Sequence, residues 1–414
     1  MKNIIKIASF LFSLLAIVEL TGCGGDSSWE SSTDLNKSLH LITNADAVAF
    51  KAKDGDWRID FKSIESLNRG FKKYTFEKSG LYSVAINCKE SNSTLVAALT
   101  PNDGELRFDC RNESNATTIN IKGGLEDNTS SSNPDDFALS IGTQYTIDSA
   151  APFNYNLNVT EGLYDIVAVS LYNTATEPIN PIKFHIERNI NLTANLEKNI
   201  TVTNANSCNA KDKNFTKAAG VDGRVVLITE NNTYFTSSMG NHWYYPDCAM
   251  NDQDIFAELS KNDANKTYRM HTFGANSAKK DIKLDTSLIK PLTEINYSDS
   301  GTISGFANYT PESNVTKLGA FEVDLSNGSQ NYFILLSKGY LGSNNRFTVD
   351  DLSGVTGFES VWDGTSASEV EASALMSNVK IEDIVSSSRK INLADFHYNL
   401  VQNAIIEIAE QKVK

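Results

Sequence analysis

The stretch YTFEKSGLYSVAINC, Tyr74–Cys88, joins two extended segments at a glycine. Successive side chains of a strand point to opposite faces, so Tyr82, Val84, Ile86 and Cys88 line one apolar side. Gly80 permits the turn that precedes them. The same arrangement returns in YNLNVTEGLYDIVAVS, Tyr155–Ser170, with one inserted residue. There the turn ends in Gly162, and Leu163-Tyr164 opens the second strand. Tyr82 and Tyr164 each start a core face. Ser170 stands where Cys88 stands, so the second copy lacks the thiol.

Strand patterns dominate the rest of the chain. DAVAFKAKDGDWRIDF (Asp46–Phe61) reads strand, Asp-Gly turn, strand, and TLVAALTPNDGELRF (Thr94–Phe108) repeats the plan around Pro101–Gly104. Further apolar or alternating runs are YDIVAVSLY, IKFHIERNI, GRVVLITE, NYFILLSKGYL and RFTVDD. One segment carries helical spacing: Asp252–Lys261, with Asp252 as the cap and Ile255, Phe256 and Leu259 on one face. The C-terminal HYNLVQNAIIEIAEQKVK suits a hairpin about Gln402-Asn403 and a helix equally well, and the β-rich context tips the reading to strands.

The paired segments resemble tandem immunoglobulin-like or related β-sandwich domains of exported bacterial proteins. The expected fold is mainly β, with tandem β-sandwich domains following a flexible lipidated tether. The divisions are a signal peptide (1–22), a tether (23–41), a β-sandwich (42–122), a linker by composition (123–136), a second sandwich (137–204), a β domain (205–293) and a C-terminal β domain (294–414).

The tether reading comes from the N-terminus. Lys2 and Lys6 precede an apolar run from Ile7 to Val18. That run is about a dozen residues, whereas a spanning helix needs roughly 20. A signal peptide fits. Leu20-Thr21-Gly22-Cys23 resembles the lipobox of bacterial lipoproteins. The resemblance implies cleavage before Cys23, a diacylglyceryl group on its thiol and acylation of its amine. Acyl chains at about 0.8 kcal/mol per buried CH₂ make a lasting membrane anchor. Gly24, where an aspartate favours retention in the inner membrane, implies the outer membrane. The polar segment GGDSSWESSTDLNK that follows has no apolar period.

Setting Cys23 aside leaves four cysteines, an even number suited to an oxidising compartment. In GELRFDC, Leu106, Phe108 and Cys110 share one face. Cys88 and Cys110 thus lie on the apolar sides of neighbouring strands, which gives Cys88–Cys110 and, by elimination, Cys208–Cys248.

A formal net charge of −14 and a pI near 4.9 exclude the basic face that nucleic acid requires. The five histidines, His40, His185, His242, His271 and His397, are scattered without metal-binding spacing. His185 reads as the solvated side of an alternating strand. No P-loop, dinucleotide fingerprint or nucleophile elbow occurs. No catalytic, cofactor-binding or metal residue is assigned. Asp54, Asp56 and Asp60 read as turn residues rather than calcium ligands, since the EF-hand pattern is missing. Trp243, Tyr244 and Tyr245 in NHWYYPDC are the candidate ligand contacts, an aromatic group able to stack on a sugar or a partner chain.

Asn-x-Ser/Thr occurs fifteen times. Two residues earlier stands an acid at nine of them: Asn36, Asn92, Asn115, Asn128, Asn199, Asn214, Asn265, Asn296 and Asn314. The chain's own 51 Asp and Glu in 414 residues would give about two. The pattern resembles the extended sequon of bacterial oligosaccharyltransferases, and most sites fall in expected loops. The sequence thus points to a non-enzymatic, lipid-anchored envelope protein of adhesin or scaffold type, held to the membrane by its N-terminal lipid and meeting an envelope protein or glycan. A carbohydrate- or peptide-binding lipoprotein serving an envelope enzyme or transport system is the alternative.

Overall fold

The computed structural model describes residues 37–67, 70–78, 80–100, 105–110, 117–128, 136–149, 151–174, 177–248, 250–262, 266–275, 279–284, 288–311, 313, 315–386 and 400–414. The lipobox with Cys23, residues 23–36 of the expected tether, the Pro101–Gly104 turn and Asn36, Asn115, Asn265 and Asn314 lie outside them; the rest of that tether, 37–41, is instead part of the strand Lys37–Thr43, whose Leu39 and Leu41 enter the core. Among the described residues no helix is long and apolar enough to cross a membrane. The architecture is mainly β, and the chain forms two compact units.

The first unit takes residues 1–112, 289–401 and 406–414. One sheet orders Ser63–Ser66, Lys72–Lys78, Lys37–Thr43 and Glu105–Phe108. A larger one runs from Ile405–Lys412 through Glu369–Ser377, Lys317–Ser326, Asn331–Ser337, Ser93–Leu99 and Tyr82–Cys88 to Ala47–Ala52. Every residue of Tyr82–Cys88 is buried, because both faces of this strand are covered. Tyr82 lies against Phe76 of the smaller sheet, with ring centroids 6.2 Å apart. On the other face Ala85 joins a core with Phe306, Phe321 and Phe358. Two polar side chains on that face are satisfied: Ser83 Oγ donates to Tyr340 Oη (3.1 Å) and Asn87 Nδ2 to the Gly357 carbonyl (2.8 Å).

The second unit takes residues 113–288 and 402–405. Thr118–Asp127 pairs antiparallel with Phe153–Thr160 and parallel with Leu196–Glu197 and Ile200–Val202. Facing residues of Phe153–Thr160 alternate strictly between buried and exposed, as a half-buried strand requires. A second sheet joins Gln144–Asp148, Asp136–Ile141, Gly162–Thr174, Glu177–Leu192, Cys208–Lys217 and His242–Pro246. A third joins Tyr234–Thr236, Asp222–Ile228, Ile255–Asn262 and Thr267–Gly274.

The two strands of each matched segment lie in different sheets, so the turn between them is an arch. Lys72–Lys78 pairs with Lys37–Thr43, whereas Tyr82–Cys88 pairs with Ala47–Ala52 and Ser93–Leu99 in the other sheet. Phe153–Thr160 and Gly162–Thr174 likewise join different sheets. The likeness extends further. In the first unit Glu105–Phe108 runs parallel to Lys37–Thr43; in the second Ile200–Val202 runs parallel to Thr118–Asp127. Both units therefore begin with the same pairing scheme, and the sequence similarity marks its arch. Gly80 holds φ of 71° there, a conformation glycine adopts without strain.

Several local readings are corrected. Gly123 and Gly124, assigned to a linker, belong to the strand Thr118–Asp127. A Cβ on Gly123 would stand 1.9 Å from the Lys198 carbonyl oxygen, so glycine there allows a second backbone to cross closely. Asp252–Lys261 is not a helix: Ile255–Asn262 is a strand buried on both faces, which removes the alternation that identifies strands. Residues 42–122 and 294–414 are not separate domains: Asn331–Ser337 lies parallel to Ser93–Leu99 in one sheet. Glu177–Leu192 and Cys208–Lys217 also pair across the division at residue 205. The C-terminal segment forms the strand Ile405–Lys412 after a turn at Gln402-Asn403.

Candidate functional site

The structure brings the four remaining cysteines together as Cys88–Cys110 and Cys208–Cys248, with Cα separations of 5.3 and 5.4 Å. The first bond links the two sheets of the first unit, since Cys88 ends a strand of one and Cys110 follows Glu105–Phe108 of the other. Both its cysteines are buried. The Cys110 amide donates to Asn44 Oδ1 (2.7 Å), fixing the backbone beside the bond. Cys208 is half-buried and Cys248 exposed. In the second unit Ser170 occupies the place of Cys88, fully buried, with no partner for its hydroxyl.

The aromatic group at Trp243 does not form an exposed platform. Trp243 is fully buried; its indole N–H donates to the Lys280 carbonyl (2.9 Å) and its ring lies edge-on to Phe256. Tyr244 is buried as well, and Tyr245 alone of the three is half-exposed. Strand alternation sends Trp243 and Tyr245 to one face, but the second unit's core covers it.

A shallow cleft of about 260 Å³ lies in the first unit between Trp57–Asp60 and Gly354–Thr356. It falls below the roughly 300–1,000 Å³ of ordinary small-molecule sites. Lys51 Nζ sits 5.0 Å over the Trp57 ring and pairs with Asp350 (2.7 Å). Arg58 and Asp60 pair with each other, and Asp54 and Asp56 are exposed. Among the described residues no group of three or more His, Cys, Asp and Glu is arranged to hold a metal ion.

The most concentrated polar chemistry was missed from sequence. Asp165 and Asp254, both fully buried, share Arg188. Arg188 Nη1 donates to Asp165 Oδ2 (3.0 Å) and Asp254 Oδ1 (2.8 Å), and Nη2 to Asp254 Oδ2 (2.5 Å). Asn231 Nδ2 and the Asn189 amide donate to Asp165 Oδ1 (2.8 and 3.0 Å). The amides of Glu230 and Asn251 donate to Asp254 (2.9 and 3.1 Å). A register shift between Tyr164 and Ile166, opposite Ile190 and Glu187, breaks the ladder at Asp165 and re-aims these side chains. Burial pushes the Asp165 carboxyl up, but hydrogen bonds from Asn231, Asn189 and Thr229 and the Arg188 charge outweigh it, leaving it below its ordinary value. The signal in the sequence was Asp165 itself, a charge inside the apolar run YDIVAVSL.

His185 is buried rather than solvated, because residue Asn206 closes over it: Nδ1 meets the Asn206 carbonyl at 2.7 Å and Nε2 meets Glu187 Oε1 at 3.3 Å. Lys198 pairs with the other Glu187 oxygen (2.8 Å). Burial lowers the His185 pKa, yet the bonds to Glu187 and Asn206 prevail and the net shift is upward; its hydrogen bond to His185 and the Lys198 charge hold Glu187 below its usual value. The His185 contribution is full below its unfolded pKa and is lost as pH rises through the higher folded one. That of Glu187 is present above its unfolded pKa and is lost as pH falls through the lower folded one. The cluster therefore supports the second unit best between about pH 4.5 and 6.5. His185→Gln should cost more stability at pH 6 than at pH 8.5 in urea titrations; equal losses would remove the charge from the account.

Of the nine acid-preceded sequon asparagines, the described five are all exposed: Asn92, Asn128, Asn199, Asn214 and Asn296. Asn214 and Asn296 lie in strands rather than in the loops expected.

No protein-family model and no curated protein matches the chain. Solved structures similar to the chain at low scores include the following two. One is a candidate adhesin from Bacteroides ovatus, at 11% identity and a TM-score of 0.17 over 43% of this chain and 94% of that one. The other is the tip fimbrial protein Mfa3 from Porphyromonas gingivalis with a C-terminal truncation, at 8% identity and a TM-score of 0.16 over 39% of this chain and 79% of that one. At these scores neither likeness bears on fold or function.

Proposed function

We propose that this chain is a lipid-anchored protein of the bacterial cell envelope, with a structural or interaction role of adhesin or scaffold type and no catalytic activity. The observation that carries the reading is Leu20-Thr21-Gly22-Cys23 at the end of a short apolar run, followed by a polar tether. The pairing of the other four cysteines agrees with an oxidising compartment. Gly24 favours the outer membrane, and the partner is an envelope protein or a glycan. Burial of Trp243 favours a scaffold over a carbohydrate- or peptide-binding lipoprotein, which would need an aromatic surface open to its ligand.

Cys23→Ala is expected to move the protein from the membrane pellet to the soluble envelope fraction. Retention in the pellet after a high-salt wash would mean that something other than the lipid holds it. Protease treatment of intact cells then separates an outward-facing scaffold from one facing the periplasm.

A further inference from the structure

We propose that this protein is glycosylated on asparagine, at Asn128, Asn199, Asn214 and Asn296, with the acid two residues earlier directing each transfer. In an extended chain the residues at −2, 0 and +2 share one face. The fold presents the sequons in that way. Asp212, Asn214 and Thr216 are exposed while Phe215 between them is buried. Glu197, Asn199 and Thr201 face outward while Ile200 and Val202 enter the core. Glu126 and Asn128 are exposed beyond buried Leu125. Asn296 and Ser298 are exposed on an edge strand that follows Glu294 and buried Ile295. The sequons of Asn199 and Asn214 are thus displayed whole, as a row of side chains that an enzyme can read from one side; at Asn128 the acid and the asparagine are outward, and at Asn296 Glu294 is half-buried against Lys290 (2.8 Å) while Asn296 Nδ2 donates to the Glu294 carbonyl (2.9 Å).

Outward strand positions are polar in any fold, which accounts for Asn with Ser or Thr at this spacing. It does not account for the sign of the charge. None of the fifteen sequons has Lys or Arg at −2, although the chain holds 37 of them against 51 acids. The six sequons without an acid have Cys110, Asn156, Asn189, Thr229, Phe306 or Leu325 there. Nor does the fold require the acids at every site. Glu197 is 75% exposed and lies 3.8 Å from Lys122, a separation at which a surface pair contributes little. Glu126 is exposed as well.

Asn92 differs. Its Thr94 is 4% exposed within the central strand Ser93–Leu99, so this sequon is open only before the first unit folds.

In the transfer, the Asn Nδ2 attacks the anomeric carbon of an oligosaccharide carried on a polyprenyl diphosphate. The N–C bond forms, the bond from that carbon to the diphosphate oxygen breaks, the diphosphate leaves with the electron pair, and Nδ2 releases one proton. No oxidation change occurs. The inference rests on export of the chain but not on the anchor, because fractionation reads the lipid and mass reads the glycan.

The test is intact mass spectrometry and peptide mapping of the protein isolated from the cells that make it. The expected mass exceeds that of the lipidated chain by whole multiples of one oligosaccharide. Asn128→Gln, Asn199→Gln, Asn214→Gln and Asn296→Gln each remove one increment. Glu126→Gln, Glu197→Gln and Asp212→Asn each remove the increment at their own asparagine while leaving it available. These sites are exposed, and circular dichroism checks that the variants fold. A mass equal to the unmodified lipidated chain overturns the proposal, as does a glycan that persists after the acids are neutralised.

Discussion

Replacing Arg188 with Met is expected to lower the stability of the second unit by about 3–5 kcal/mol, the range for stranding a buried charge without its partner. Two fully buried carboxylates, Asp165 and Asp254, would then face one another with no cation between them. The backbone amides of Asn189, Glu230 and Asn251 still donate to them, so the unit need not collapse, but its net charge there becomes −2. The share of the loss carried by Asp165 should fade below about pH 3.8, because a carboxyl held below its unfolded value supports the fold above that value and loses the support as pH falls through the folded one. Arg188→Met combined with Asp165→Asn and Asp254→Asn should recover much of it, because no uncompensated charge remains. Urea denaturation followed by Trp fluorescence reads both variants against the parent chain. A loss under about 1 kcal/mol for the single variant would place the cluster with ordinary surface pairs.

Cys88→Ala with Cys110→Ala should remove about 3 kcal/mol, from the closure entropy of a loop 22 residues apart in sequence, and the pair at Cys208 and Cys248 about 4 kcal/mol for a separation of 40. Their accessibility runs in the opposite order. A thiolate reductant must reach a sulfur, and Cys248 is exposed whereas Cys88 and Cys110 are at most 6% exposed. Mild reduction at neutral pH should open Cys208–Cys248 first, leaving Cys88–Cys110 intact until the first unit unfolds. Differential alkylation with peptide mapping distinguishes the two. Simultaneous opening in the folded protein would contradict the burial of the first pair.

Strands on the surface of each unit were legible because one face is wet. Phe153–Thr160 announces itself by period two, and in Glu105–Phe108 the same alternation sends Leu106 and Phe108 to one face; Tyr82–Cys88, dry on both faces, was legible through its glycine turn and its match to Tyr155–Ser170. Where both faces are dry the rule fails. Ile255–Asn262 lost its alternation and took on helical spacing by coincidence. Parallel pairing between Ser93–Leu99 and Asn331–Ser337 joins segments far apart in the chain, and nothing local encodes it. The Arg188 cluster gathers residues from Asp165 to Asp254 for the same reason. The burial of His185 depends on Asn206, a residue outside its strand. Trp243 was visible as an aromatic, but whether an aromatic faces solvent depends on which sheet covers it.

The split composition of the first unit sets an order of events during synthesis. A chain growing from its N-terminus delivers residues 1–112 first, yet their principal sheet is incomplete until the strands beyond residue 317 have emerged. The second unit, by contrast, lacks only Gln402–Ile405 once Leu288 has emerged. The segment that emerges first is therefore the last to be sheltered. A nascent chain halted before Asn331 would hold Ser93–Leu99, with Val96 and Leu99, as an unzipped apolar margin. Such a fragment is a client for chaperones and proteases, so truncation late in the chain is felt most at its beginning.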